Sequence, residues 1–448
     1  MNALQQYIDL YGQHRQLVND NAPQALNACR EAALDTLAGA HLPRRGEEGY
    51  EMSDIEAMFA PDLGVNLARV PFSADIAGAF KCDVPNISTL LGVVANDIFR
   101  PTEALLKRLP EGMAVTSFSD AAKRLPGILE KYYATAAPAD NVIVALNTLL
   151  AQDGVLVYVP RGVNCEKAVQ LVNILHTPAS MLAMRRMLVV LEDNASCRLL
   201  NCDHTADNNT ADTSLGVVEI IQGRGASLEW YDIEESSDST SKCAYIAANL
   251  ESGASLRVNT TILTCGKTRN TLRVNLAGEG ASCHIAGMAF AGRDQVADTS
   301  ATVIHAAPRC NSDQLFKYVV DDNARGAFEG LILVKDGAHH TAAYQNNKNI
   351  VAAPTAHMHT RPQLEIYCDD VQCSHGAATG QLDERALFYM RSRGIPDAEA
   401  RTMLTQAFMA DVIDTVSLEP LRDRLRHLVE KRLSQGFDNN ACDSCAIH

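Results

Sequence analysis

Cys368, Cys373 and His375 carry the side chains of this chain best suited to soft-metal chemistry. Thiolate and imidazole favour zinc, copper(I) and iron–sulfur species. On an extended strand side chains alternate between faces, so Cys373 and His375 share one face. Cys368 points the other way unless a turn intervenes. Two or three donors cannot close a structural site, and an incomplete set fits a labile metal held between two chains. The alternative is that both cysteines pack as small apolar side chains and His375 caps a turn.

Other ligand-type residues form smaller groups. His357 and His359 make an H-x-H pair that faces one way on a strand, as in cupin metal sites, with Glu365 a further donor. A metal-dependent β-helix or cupin-like enzyme using these three is the rival reading. His339 and His340 are adjacent and point to opposite faces, so they do not chelate together. Cys442, Cys445 and His448 form a C-x-x-C-x-x-H string that could grip zinc or copper but has no second half-site. There is no P-loop, G-x-S-x-G elbow or H-E-x-x-H, and no G-x-G-x-x-G after a strand, so any ATP-driven step belongs to another protein.

The elements that position these residues change character along the chain. The stretch from Pro362 to Pro396 reads as a strand that turns at Gly376 and Gly380 and becomes an amphipathic helix. Gly394 caps that helix and Pro396 stops it. Upstream, from Gly154, short β-rich runs alternate with Gly, Asn and Asp turns. Ala195-Ser196, Ala226-Ser227, Ala254-Ser255 and Ala281-Ser282 recur at intervals of 31, 28 and 27 residues. A turn repeated at such a period marks stacked coils that cannot bury their inner faces alone. The expected fold is mainly β: a β-helix core over residues 151–378, with a β-sandwich as the alternative.

Residues 1–150 read as a helical or mixed region, with Leu4, Ile8 and Tyr11 at helical spacing and a break at Pro23. Within a polar linker, Ser53 and Glu56 suggest a capping box on a short helix. Residues 379–434 read as a C-terminal helical domain on the end of the β body, with Leu404, Ala407, Phe408 and Val412 on one buried face and Leu421, Leu425, Leu428 and Val429 on another. The tail 435–448 is expected to be disordered. A chain of 448 residues with 47% hydrophobic and 21% charged residues has ample material for several cores. Its net charge of −15 argues against a nucleic-acid platform. No apolar run is long enough for a membrane span. Thirteen cysteines without a leader-like start read as reduced thiols, giving an expected cytoplasmic location.

The string PQLEIYCDDVQCSHGAATGQLDERALFYMRSRGIP, with GLILVKDGAHHTAAYQNNKNIVAAPTAHMHTR ahead of it, resembles the SufB/SufD family of iron–sulfur cluster assembly proteins. S-H-G-A followed by F-Y-M-R-S-R-G-I is similar to the SufD branch, whereas SufB chains carry an E-H-E-A-like string. The resemblance implies a right-handed parallel β-helix with flanking helices. It implies a non-catalytic scaffold subunit that pairs with a SufB-like subunit, or with itself, and binds a SufC-like ATPase through C-terminal helices containing Phe388, Tyr389, Arg391, Arg393 and Gly394. His375 matches the SufD histidine implicated in nascent cluster formation, and Cys373 is its neighbouring family cysteine. The cargo is then a transient iron–sulfur cluster or iron at the subunit interface, which the isolated chain need not retain. Cys368 departs from the small residue expected there and adds a second thiol. The terminal C-x-x-C-x-x-H also lies outside the family pattern.

Overall fold

A computed structural model describes residues 2–70, 89–176, 179–205 and 210–434. Cys442, Cys445, His448 and the rest of the 435–448 tail lie outside them. The opening strands are β1 (Leu90–Ala95), β2 (Ile98–Pro101), β3 (Ala114–Ser117), β4 (Val155–Val159) and β5 (Val169–Leu175). Then come β6 (Leu182–Leu191), β7 (Ser196–Thr205), β8 (Thr213–Gln222), β9 (Ser227–Glu235), β10 (Ser241–Leu250), β11 (Ser255–Thr264) and β12 (Lys267–Leu276). The last are β13 (Ser282–Ala291), β14 (Val296–His305), β15 (Asn311–Val320), β16 (Arg325–Val334), β17 (Thr341–Val351), β18 (His357–Ile366) and β19 (Val371–Gly380). From β4 onward strands alternate between two sheets, each pairing in parallel with the strand two places on. The result is a parallel β-solenoid of about seven turns, and the sandwich alternative falls away.

The Ala-Ser repeat is the coil register itself. Ser196 pairs with Ser227, Ser227 with Ser255, and Ser255 with Ser282. Each preceding alanine closes a tight turn by donating its N–H to the carbonyl three residues back, at 3.0–3.2 Å. Asn194, Gly225, Gly253 and Gly280 take the left-handed conformation those turns require, which glycine adopts without strain and Asn tolerates. Ala195, Ala226, Ala254 and Ala281 are fully buried, so a larger side chain would strike the turn above or below.

Helices cover the flanks. Helix Ala3–Asp20 and helix Val142–Leu150 share an apolar core with Leu182, Met184, Leu215 and Cys243 of the even-numbered sheet. The short helix Ile55–Phe59 is capped by Asp54, whose carboxylate accepts from the Ala57 N–H, and not by Ser53. Glu56 instead accepts from the Ala3 N–H at 2.8 Å, tying the linker to the first helix. Helices Asp397–Ile413 and Glu419–Ser434 lie along the flank of the odd-numbered sheet, over Cys202, Ile233, Met288, Phe290 and Val319, rather than on the end of the β body. Met409 and Val412 are buried there and Phe408 packs alongside, while Ala407 is exposed, because the helix is rotated modestly from the expected face. Leu421, Leu425 and Val429 are buried as expected.

His305, at the end of β14, is wholly buried with its Nε2 2.8 Å from Ser312 Oγ. Burial lowers its pKa to about 4. The unfolded chain binds this proton at about 6.5, so the unfolded state holds more protons between those values. The stability contributed by neutral His305 is therefore complete above pH 6.5 and lost as pH falls toward 4. Lowering pH from 8 to 5 should remove about 2 kcal/mol through this residue. Urea midpoints at the two pH values read that loss, and His305→Gln should abolish it.

Candidate functional site

The coils stop at β18 and β19. Among the described residues β18 pairs only with β16, and β19 only with β17, so each offers an unpaired edge. Such edges template pairing with another chain unless they are blunted. Pro362 removes one donor from β18. Along β19, Gly376, Ala377, Ala378 and Gly380 leave a smooth edge with little side-chain bulk.

Cys373 and His375 lie on β19, in register with Ala343 and Gln345 of β17. Cys373 is half-buried against the cluster of Ile332, Val334 and Ala343. Thr379, on the same strand face, accepts from Asn349 Nδ2 at 3.1 Å within the coil. His375 therefore shares the inward face of the last coil while remaining exposed at its open end. Gly376 is mid-strand, not a turn: the ladder with β17 carries the strand on to Gly380.

Cys368 occupies the turn between β18 and β19, and is buried. Its Sγ lies 3.2 Å from Nδ1 of His339, in the equivalent turn one coil earlier. His340 Nδ1 lies 2.9 Å from Asp370 Oδ2, so the adjacent histidines serve different partners, as their alternation suggests. Among the described residues no three His, Cys, Asp or Glu side chains converge to hold a metal ion. Cys368 also belongs to the small apolar cluster against which Cys373 packs, so the two thiols share one neighbourhood, with His339 as the further partner of Cys368.

His357, His359 and Glu365 fall on the outer face of β18. There the linker reaches His359 and the neighbouring Arg361. His359 Nε2 lies 3.7 Å from Glu51, and Arg361 lies 2.8 Å from Glu48, 3.7 Å from Glu51 and 3.6 Å from Glu329. The two histidines share one strand face as the spacing predicts, His359 facing a carboxylate and His357 exposed.

The helix after β19 spans Glu384–Ser392, with Asp383 accepting from the Arg385 N–H at 2.8 Å. It buries Leu387 and leaves Phe388 74% and Tyr389 58% exposed, a pair of aromatic rings with no intramolecular core to join. Arg393 stacks on the Tyr389 ring at 5.1 Å, Arg391 lies 3.5 Å from Asp397, and Gly394 is left-handed, ending the helix as the spacing predicts.

Sequence reasoning missed a charged tract inside the first coils. Lys242 Nζ lies 2.6 Å from Asp203, 3.3 Å from Glu234 and 3.6 Å from Asp232, and Arg185 lies 2.7 Å from Asp203. Burial alone would lower the Lys242 pKa, but the three carboxylates outweigh it and hold it well above the ordinary value. Arg185, Asp203, Asp232 and Lys242, with Trp230 and Met187, line a cavity of about 50 Å³. Alternating polar residues on a strand look solvent-facing, so no pattern announced them.

Comparison with known proteins places this geometry. The model of the SUF system FeS cluster assembly SufBD core domain matches residues 174–408, and that of the SufBD protein N-terminal region matches 1–171. The chain belongs to the SufBD family. An iron–sulfur cluster assembly SufBD family protein of Synechocystis is 28% identical over 426 residues, 90% of each chain. The iron–sulfur cluster assembly protein SufD of Escherichia coli is 38% identical over 168 residues, 38% of this chain and 40% of that one. SufD of Bacillus subtilis is 25% identical over 327 residues, 72% of this chain and 74% of that one. This SufBD chain is SufD-like. No helix among the described residues is long and apolar enough to cross a membrane.

The thiols of the family member differ in reach. Burial raises the pKa of Cys373, and more strongly that of Cys243, to about 12, and those of Cys265 and Cys283. Cys243, Cys265 and Cys283 are also shut from solvent. Iodoacetamide should modify Cys373 at least about tenfold faster than these three in the folded chain, with equal rates in urea. Peptide mass spectrometry against time provides the comparison.

Proposed function

We propose that this chain is a SufD-type scaffold subunit whose open solenoid end joins a SufB-like partner and presents His375 to a nascent iron–sulfur cluster. The observation that carries the reading is the placement of His375 on an unpaired edge strand. A partner strand laid along β19 would take up its free backbone groups, and would bring further donors up to the imidazole. His375 and Cys373, on one strand face, supply a soft but incomplete set. A cluster bound across two chains is held only as well as those chains are juxtaposed, so a motion of the interface governs both assembly and release. The imidazole ligates iron in its neutral form.

The motor is external. The exposed Phe388 and Tyr389, with Arg391, Arg393 and the Gly394 turn, form the docking surface for a SufC-like ATPase. Gln381, Leu382 and Asp383 connect that helix directly to β19. Force on the helix is therefore delivered to the edge strand that carries His375. The chain acts without catalysis of its own, in the reducing setting its free thiols suit. A second copy of the chain could occupy the same edge, and size measurement with and without the SufB-like subunit separates the two assemblies.

His375→Ala should leave the complex with SufB-like and SufC-like partners intact and lower cluster accumulation several-fold, read by absorbance during reconstitution. Undiminished accumulation would remove the residue from the mechanism. Replacing Phe388 and Tyr389 together by Ala should weaken capture of the ATPase by about 2 kcal/mol or more, as expected for aromatic anchors. Unchanged binding in calorimetry would show that the docking face lies elsewhere.

A further inference from the structure

Two buried amides stand behind His375 in the coil interior. Gln314 of β15 is in register with Gln345 of β17, and Gln345 with His375 of β19. Gln314 and Gln345 are 0% and 1% exposed, and among the described residues neither the oxygen nor the nitrogen of either amide has a hydrogen-bond partner. Leaving a buried polar group unpaired carries a desolvation cost. The neighbouring polar side chains on the same strand avoid that cost. Asn347 donates to Phe316 O at 3.2 Å and accepts from Thr360 at 2.7 Å, and Asn349 donates to Thr379.

The surroundings limit where the Gln345 amide can turn. It lies against Gly330 of β16, where a Cβ would overlap it, so the absence of a side chain at Gly330 makes its place. Phe316 and Phe328 belong to the apolar core beside it. Along the coil axis its neighbours are Gln314 and His375, one strand spacing away on either side, roughly 4.8 Å.

We propose that Gln345, backed by Gln314, is a positioning residue for His375. The amide, unpaired against Gly330 in this structure, turns toward the open end so that its Oε1 accepts the N–H of one ring nitrogen, fixing the tautomer and aiming the other nitrogen's lone pair outward. Its Nε2 is then left to donate to the Gln314 oxygen. A ligating histidine ordinarily has its second nitrogen held in this way, and the ligand it then offers suits a borderline cation such as ferrous iron. The amides are thus a poor choice for the fold and a good one for the imidazole. This proposal rests on the reading of His375 as a cluster ligand.

The test uses the full chain, labelled with ¹⁵N-histidine and studied at pH 8 by long-range ¹H–¹⁵N correlation, with His375→Gln identifying the resonance. His375 is expected as a single tautomer. Gln345→Met, which removes both amide atoms at similar volume, should melt no lower than the parent and turn that signal into a mixture. Gln345→Glu keeps the acceptor and should restore the single tautomer. A mixed signal in the parent, a single one in Gln345→Met, or a mixed one in Gln345→Glu overturns the proposal. Gln345→Glu decides the matter if Gln345→Met does not fold. The cluster reading fails separately, by normal accumulation in His375→Ala, whatever the tautomer result.

Discussion

Each coil of this protein hands its backbone N–H and C=O groups to the next, and a parallel stack has no internal means of stopping. The two ends meet that difficulty differently. At the start, β1 pairs antiparallel with β2 and β3 with β4, which turns the ladder back on itself. At the far end, among the described residues, no strand pairs with the outer edges of β18 and β19, and the long C-terminal helices lie along the flank over Met288 and Val319. The uncovered end also holds His375 and Cys373, so chemistry and assembly fall on one surface.

The interior is graded. Around β11 to β16 it is mainly apolar, with Phe316 and Phe328 at 4.4 Å and Gln314 among the few polar side chains. Around β6 to β10 it carries Arg185, Asp203, Asp232, Glu234 and Lys242. Removing one partner from such a buried set strands the others, at a cost of about 3–5 kcal/mol. A slip of one residue in the register would do the same to all of them. The charged tract therefore forbids misalignment in coils whose small apolar side chains would otherwise tolerate it.

The stacked-coil fold was legible because its physical cause is local: a tight turn that must be small recurs wherever chain crosses chain, and Ala195 through Ala281 record it. The helix after Gly380 and its glycine stop were legible for the same reason. The sites of failure were tertiary. Asp54 displaced Ser53 as a cap because Ser53 is buried and Glu56 is drawn to Ala3. Gly376 read as a turn, yet neighbouring β17 holds it extended. The partnership of Cys368 with His339 joins residues 29 apart and depends on coil stacking alone. Gln345 lies in the stretch that carries the family resemblance, but nothing marked its amide as buried, since an alternating glutamine looks like any solvent-facing strand position.

The linker between the N-terminal helices and the first strands reaches the opposite end of the chain. Glu48 and Glu51 meet Arg361 and His359, more than three hundred residues away. Tyr50 lies over Arg269 at 4.4 Å. During synthesis, therefore, this linker leaves the ribosome long before its partners exist, and contacts of such sequence separation form late. Its closure over β18 is a latch thrown only when the last coil has emerged, so a truncated chain keeps its early coils but leaves the strap hanging loose.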